Sequence, residues 1–387
     1  MKRLAILVTH PIQYYAPVFE LLAQSCTLKV FYSWGKDSQA DTYDPDFGKK
    51  ISWDIPLLEG YEYEFLENTS VNPGSSTFKG IQNPDVIEQI NLFSPDAILV
   101  YGWSYESHLK VMRHFNGKTP VWFRGDSTLL DVQSPFKKIA RSILLRWVYS
   151  RVDKAFYVGS ANKDYFKAYG LKEEQLIFAP HAVDNDRFAE DRSAEAGALR
   201  KSLNIPEDAI LILFAGKLEP KKDPELLLHA FQELKDPNVH LLFVGNGILE
   251  DKLKHLAYQR QKQHARRNVD FLPFQNQSQM PVMYQACDLF VLPSKGPGET
   301  WGLAINEAMA AKKAVLTSDR VGCSRDLISI KNGQIFKASD QASLVQALQK
   351  LLINKEKLRS LGLHSSKIIK NWTFDKMADE INSALNS

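Results

Sequence analysis

Cysteine is scarce in this chain: three in 387 residues, Cys26, Cys287 and Cys323, widely separated and without a CxxC pair. That argues against a disulfide framework or a cysteine zinc cluster, and it suits a reducing compartment. No apolar run approaches the roughly 18 residues that a membrane-crossing helix needs. The expected location is therefore cytoplasmic, with any membrane contact peripheral, at the inner face. The opening Met1–Val8 imitates a signal peptide, but its apolar run is short and meets His10 and Pro11, so it reads as a first strand. Charge of one sign is not in excess either. With 48 Lys+Arg against 45 Asp+Glu the formal charge is +3, too small for nucleic-acid binding by bulk electrostatics. No repeat of solenoid period and no low-complexity tract is visible.

What is present is an ordinary globular composition, 44% apolar and 24% charged. At roughly 150 residues per domain it predicts two domains. Short apolar runs alternate with amphipathic helical patterns, the signature of an α/β fold with parallel sheets. The first series is Leu4–Val8, Leu28–Tyr32, Ala97–Tyr101, Val121–Phe123 and Ala155–Val158. The second is Ile210–Ala215, Val239–Val244, Val269–Phe271, Leu289–Leu292 and Ala314–Thr317. Between them Ala189–Leu203 is polar and reads as a linker, partly helical. Asp37–Ser76, rich in aromatics and turn residues, reads as an elaborated loop with short strands.

The second series carries the stronger chemical signal. Ser294-Lys295-Gly296-Pro297-Gly298-Glu299-Thr300-Trp301-Gly302-Leu303 joins a strand to a helix, and the unpaired N–H groups of Thr300–Leu303 can cradle a phosphate. Glu299 and Glu307 are too far apart in sequence to be stacked helix neighbours, so they would reach different parts of one ligand. A solvated turn acid and a helix-face acid would give the same spacing. Upstream, Gly216-Lys217-Leu218 again ends a strand, and Lys217 and Lys222 can bring positive charge to a diphosphate at the carboxyl edge of the sheet. Taken singly, each is also an ordinary surface lysine. Two DxD-like strings, Asp44-Pro45-Asp46 and Asp184-Asn185-Asp186, read as turns, so no metal site is expected. Val244-Gly245-Asn246-Gly247 falls short of GxGxxG because Glu250 takes the third glycine's place, which makes a nicotinamide cofactor unexpected; no cofactor is called for.

These ordered motifs, with Val269-Asp270-Phe271-Leu272, Cys287–Ser294 and Asn332-Gly333, resemble the retaining glycosyltransferases of family four. The His10-Pro11-Ile12-Gln13-Tyr14 start, Trp53–Leu58 and Pro180-His181-Ala182-Val183-Asp184-Asn185 resemble one branch of it. The resemblance implies the GT-B fold: two facing Rossmann-like domains with parallel sheets and a central cleft. On this pattern residues 1–190 form an acceptor-side domain, 191–368 a nucleotide-sugar domain, and 369–387 a helix that packs back on the first. It implies that Lys217, where the family commonly has arginine, and Lys222 hold the donor diphosphate, that Glu299 meets the transferred sugar and that Glu307 meets the ribose. The expected donor contacts are Gly216, Gly245, Phe271, Thr300, Trp301, Gly302 and Leu303, with backbone groups near Phe271–Phe274 at the base. The implied partners are a UDP- or GDP-sugar and a hydroxyl acceptor, lipid-linked or not. A nucleotide-sugar epimerase and a non-catalytic nucleotide-sugar or glycan binder are the alternatives.

The first half departs from the family. His10 and Gln13 replace the usual glycine-rich loop and are candidate side-chain contacts, although a helix-start turn would also explain them. Where relatives often present a histidine, this chain has Arg124-Gly125-Asp126. Arg124 suits an anionic group and Asp126 suits orienting or deprotonating an acceptor hydroxyl; an Arg124–Asp126 structural pair fits equally. His108 and His181 are weaker candidates. Residues 135–151 mix basic and apolar side chains on a helical pattern, suited to anionic lipid or to ordinary packing on the core.

Overall fold

The computed structural model describes residues 1–36, 42–44, 49–51, 53–131, 135–264 and 268–387. It resolves into two compact units: Met1–Thr42, Ile55–His181 and Phe374–Ser387 in one, Tyr43–Asp54 and Ala182–Thr373 in the other.

In the N-terminal unit the strands are β1 (Arg3–Val8), β2 (Thr27–Tyr32), β5 (Glu62–Phe65), β6 (Ala97–Tyr101), β7 (Val121–Arg124), β8 (Lys154–Tyr157) and β9 (Leu176–Phe178); β3 (Thr42–Asp44) and β4 (Lys49–Ile51) form a separate pair that, apart from Thr42, belongs to the other unit. The seven-stranded sheet has the order β5-β2-β1-β6-β7-β8-β9, and its strand pairs are parallel. The central strands are apolar on both faces because helices cover both: Leu4, Ala5, Ile6, Leu7, Ile98, Leu99 and Val100 are fully buried. The edge strands β5 and β9 do not follow that pattern, since Glu-Tyr-Glu-Phe and a three-residue Leu-Ile-Phe carry little apolar signal. The final helix, Phe374–Asn386, lays Met377, Ala378, Ile381 and Leu385 against this core.

The C-terminal unit holds β10 (Ile210–Ala215), β11 (Val239–Val244), β12 (Val269–Leu272), β13 (Leu289–Leu292), β14 (Ala314–Ser318) and β15 (Gly333–Phe336), in the order β12-β11-β10-β13-β14-β15 and again parallel. Each unit thus has the doubly wound order in which the first strand lies between the second and the fourth. The crevice beside that strand's carboxyl end is where such sheets bind ligands.

The stretch expected to be a linker is a packed element. Ser193–Ser202 is a helix held to the segment before β13: Arg192 N donates to Gln285 Oε1 (2.9 Å), and Arg200 donates to Ala286 O (2.9 Å) and Asp288 Oδ2 (3.2 Å). Its polar residues face these partners, so composition alone concealed it. The short strap 53–54 joins the same unit; Ser278 N donates to Asp54 across a gap of 224 residues, and Trp53 meets Phe274 edge-on. Pro45 and Asp46 of the first DxD-like string lie outside the described residues. The second is structural in part: Asp184 caps Asn185–Ala189 by accepting from Arg187 N.

Candidate functional site

Two loops at the carboxyl ends of β10 and β11 are laced together by backbone bonds, Gly216 N to Val244 O (3.0 Å) and Leu218 N to Asn246 O (2.9 Å). The approach is so close that a Cβ on Gly245, at φ +135°, would lie 2.1 Å from Gly216 O. Glycine is required there by contact and by backbone angle together. Asn246 then reaches across, accepting from Phe274 N (2.9 Å) and donating to Glu250 (2.9 Å). The sequence shows Asn246 only as part of the Val244–Gly247 motif; nothing local signals this cross-link. Phe271, an expected donor contact, stacks its ring on Phe243 at 5.2 Å and packs on the core, which leaves the following turn to offer backbone groups.

Past the Gly216–Lys217 turn, Pro220–Lys222 forms one 3-10 turn. It is held to the β13 loop by Lys295 N donating to Lys221 O (2.9 Å) and by Lys295 Nζ on Asp223 (3.0 Å). The result is direct contact between two of the expected site residues: Lys222 Nζ donates to Glu299 Oε2 at 2.5 Å, and Ser294 Oγ donates to the same oxygen at 2.8 Å. Glu299 is only 8% exposed, so this carboxylate is aimed inward. In the sequence Ser294 ends the β13 motif and opens the turn that leads to Glu299, without a site role of its own. Lys217 is half-buried in the preceding turn.

Gly302, at φ +94°, starts the helix Leu303–Ala310 and has no side chain to cap it. The turn is wedged from behind, where Gly322 approaches Thr300 O so closely that a Cβ would fall at 1.7 Å; Cys323 N also donates to Trp301 O (2.9 Å). Trp301 is buried and donates from Nε1 to Asn306 (3.0 Å). Glu307, one turn into the helix, is buried and accepts from the Tyr284 hydroxyl at 2.7 Å. That bond orients the carboxylate and satisfies one lone pair. Replacing Glu307 with alanine is expected to weaken binding of a free nucleoside diphosphate by about tenfold, the loss of one charge-assisted contact. Titration calorimetry checks this; unchanged affinity removes Glu307 from the ribose assignment.

In the N-terminal unit the structure brings together Asp126, His181 and Tyr15. His181 Nε2 lies 3.7 Å from Asp126 Oδ2, and its ring stacks on Tyr15 with centroids 6.2 Å apart. Burial lowers the His181 pKa; the Asp126 carboxylate opposes this and nearby Arg124 reinforces it. Burial above all raises that of Tyr15. Arg124 adjoins this group, acting on both Tyr15 and His181, but its guanidinium is committed to backbone carbonyls. It is 1% exposed and donates to Ala179 O (2.8 Å) and Pro180 O (3.2 Å), tying β7 to the segment that follows β9. His10 has different neighbours again, bonding Thr9 Oγ1 (2.9 Å) and meeting Trp34 edge-on, with its pKa pushed down to about 4 by burial. Gln13 sits half-buried in the turn before Ala16–Ala23.

His108 is a structural histidine. Fully buried, it donates from Nδ1 towards Tyr101 O and Gly102 O, so Nε2 accepts from Ser33 Oγ at 2.8 Å. Burial holds it at about 4, below the ordinary 6.5. As pH falls from 6.5 towards 4 the unfolded chain gains a proton that the native one refuses, so this residue's share of stability is full above that window and declines through it. Urea unfolding at pH 7.5 and 5 is expected to show a smaller difference in H108Q than in the parent.

With this geometry in hand, the chain can be compared with known proteins. Residues 196–367, a little under half of the chain and wholly inside the C-terminal unit, match the family Glycosyl transferases group 1. Solved glycosyltransferase structures then match end to end. Anabaena HepE in complex with UDP and glucose superposes with a TM-score of 0.72 at 18% identity, covering 100% of both chains. Sucrose-phosphate synthase of Thermosynechococcus elongatus gives 0.76 at 18%, covering 100% of this chain and 98% of that one. The fold is GT-B. Among curated relatives, the lipopolysaccharide 1,2-N-acetylglucosaminetransferase of Salmonella typhimurium is 30% identical over 187 residues, 46% of this chain and 49% of that protein. The D-inositol 3-phosphate glycosyltransferase of Nocardia farcinica is 29% identical over 206 residues, 51% of this chain and 44% of that protein. The chain thus spans about half the length of the curated relatives it matches.

Proposed function

We propose that the protein is a retaining glycosyltransferase that moves a sugar from a nucleotide diphosphate sugar to a hydroxyl acceptor in glycan, cell-surface polysaccharide or glycolipid synthesis. The observation that carries the reading is the Lys222–Glu299–Ser294 cluster, set beside the uncapped helix Leu303–Ala310 and buried Glu307 at the carboxyl edge of a doubly wound sheet. Breaking the anomeric C–O bond leaves the electron pair on the diphosphate and cationic character on the sugar. Lys217, Lys222 and the first N–H groups of the helix stabilise the departing charge, while Glu299 orients sugar hydroxyls. The acceptor oxygen attacks from the same face and its proton passes to the leaving phosphate oxygen, so charge and atoms balance without a protein base. Lys222 must exchange Glu299 for phosphate when donor binds. HepE, crystallised with UDP and with UDP-glucose, supports UDP; a GDP-mannose-dependent relative from Corynebacterium glutamicum keeps GDP in the test.

The acceptor is assigned to the N-terminal unit, with Asp126 and His181 as its polar contacts. A lipid-linked acceptor is compatible with the helix Pro135–Tyr149. It buries Leu145, Val148 and Tyr149 yet exposes Ile139, Ile143, Leu144 and Trp147 beside Lys138 and Arg146, a face suited to an anionic membrane surface. Among the described residues no helix is long and apolar enough to cross a membrane.

The test is to incubate the protein with UDP- and GDP-sugars, alone and with hydroxyl acceptors, and to identify the products. Transfer with the anomeric configuration retained supports the reading. An epimerised donor, or a donor bound and unchanged with every acceptor, overturns it. Transfer is expected to survive EDTA, because lysines and helix N–H groups can stabilise the diphosphate without a divalent ion. Loss in EDTA with recovery on adding manganese would overturn the metal-free mechanism.

A further inference from the structure

At the opposite ends of the strands that carry the donor groups, the C-terminal unit has a hollow of about 640 Å³. Its walls are the residues just before β13, those just before β14, and the helices Ser193–Ser202 and Lys355–Ile369. Five cationic side chains line it, Arg200, Lys312, Lys313, Lys355 and Arg359, against three carboxylates, Asp191, Glu207 and Asp288.

The carboxylates offset only part of that charge: Asp191 attracts Lys312 and Asp288 attracts Lys313, in neither case as a close ion pair. Asp288 is shared by Arg200 (3.2 Å) and Lys355 (3.7 Å), and Asp191 accepts from Ser193 N (2.9 Å). Lys313 Nζ donates to a neutral carbonyl, Gln285 O, at 3.0 Å. Among the described residues neither Lys312, Lys313 nor Arg359 forms an ion pair with a carboxylate. Burial holds the Lys313 pKa below the ordinary lysine value, and Arg200 and Arg359 lower it further while Cys287 and Asp288 oppose. Three like charges around one hollow, one of them desolvated, form a field that an anion would relieve.

The floor is apolar, with Ala196 and Leu358 buried, and the volume falls in the range of small-molecule sites. We propose that this hollow binds a small molecule carrying phosphate groups, at a site separate from the donor site and independent of the reading given above. Its position has a consequence. Ala311–Lys313 ends the helix Leu303–Ala310, whose other end carries the donor turn, so ligand here sits at the far terminus of that helix.

The test is titration of inorganic pyrophosphate into the full chain carrying Lys222→Ala, which weakens the donor site, and into the same chain with Lys312→Ala and Arg359→Ala added. Both added changes remove exposed side chains, so folding is expected to be preserved. Saturable binding to the first protein, weakened at least about tenfold in the second, is the expected result. Absence of saturable binding to the first protein, or equal affinity in the two, overturns the proposal. In that case the lysines serve only the carboxyl end of the helix. Inorganic phosphate in a parallel titration at matched ionic strength reads how many phosphate groups the hollow takes: tighter pyrophosphate is expected, and equal weak affinity for both marks general electrostatics and overturns a built site.

Discussion

Lys222→Ala is expected to lower sugar transfer at saturating donor by more than about tenfold, a loss of at least about 1.4 kcal/mol of transition-state stabilisation. The argument starts in the resting protein. Lys222 Nζ sits 2.5 Å from Glu299 Oε2, and the two side chains are 20% and 7% exposed. The cation is thus held at the sheet edge and screened little by solvent, where on the proposed reading a leaving diphosphate develops charge. Its removal acts twice: the diphosphate loses a fixed cation, and buried Glu299 loses its counter-ion while keeping the Ser294 hydroxyl as a hydrogen-bond donor. The second effect makes Lys222→Ala and Glu299→Gln non-additive, because the amide needs no counter-ion. Measured kcat in the two single variants and the double variant checks both points. Wild-type turnover in a folded Lys222→Ala protein would remove the lysine from the mechanism, and strict additivity would show that the resting ion pair does not couple the two residues.

How much of this was legible in the sequence depended on whether the cause was local. The central strands of both sheets were readable because each is a continuous apolar run, and β10, β11 and β13 match their expected bounds residue for residue. The edges β5, β9 and β15 were not readable. An edge strand is solvated on one side, and Gly-Gln-Ile-Phe or Glu-Tyr-Glu-Phe has neither a continuous run nor a full apolar alternation. Lys222 and Glu299 could be singled out because each follows a strand end, yet their contact could not, since it joins residues 77 apart in sequence. The same holds for Tyr284 on Glu307 and for Asp54 on Ser278. Arg124 shows the limit most clearly: an arginine closing an apolar strand reads equally as a ligand group or as a buried tie, and only the position of the Ala179 and Pro180 carbonyls distinguishes them.

Those carbonyls set the expectation for Arg124→Ala: the N-terminal unit should lose on the order of 3 kcal/mol or more of stability, as hydrogen bonds to a charged donor contribute roughly 1.5–3 kcal/mol each. Arg124 is among the largest fully buried side chains. Its guanidinium reaches Ala179 O at 2.8 Å and Pro180 O at 3.2 Å, so truncation leaves two acceptors without their donor and a void beside Tyr15 and Tyr101. Arg124→Lys keeps the charge, but one ammonium lacks the planar fork that serves two carbonyls, and an intermediate loss is expected. The neighbouring Trp122 is buried in the same strand, which makes urea unfolding followed by tryptophan fluorescence a suitable readout. Asp126→Asn provides the contrast: with a side chain 42% exposed it should leave the unfolding midpoint nearly unchanged and lower turnover instead, if Asp126 orients the acceptor. Arg124→Ala unfolding at the parental urea concentration while binding donor about tenfold more weakly would reverse the assignment, making Arg124 a ligand contact and leaving the 179–180 segment held by something else.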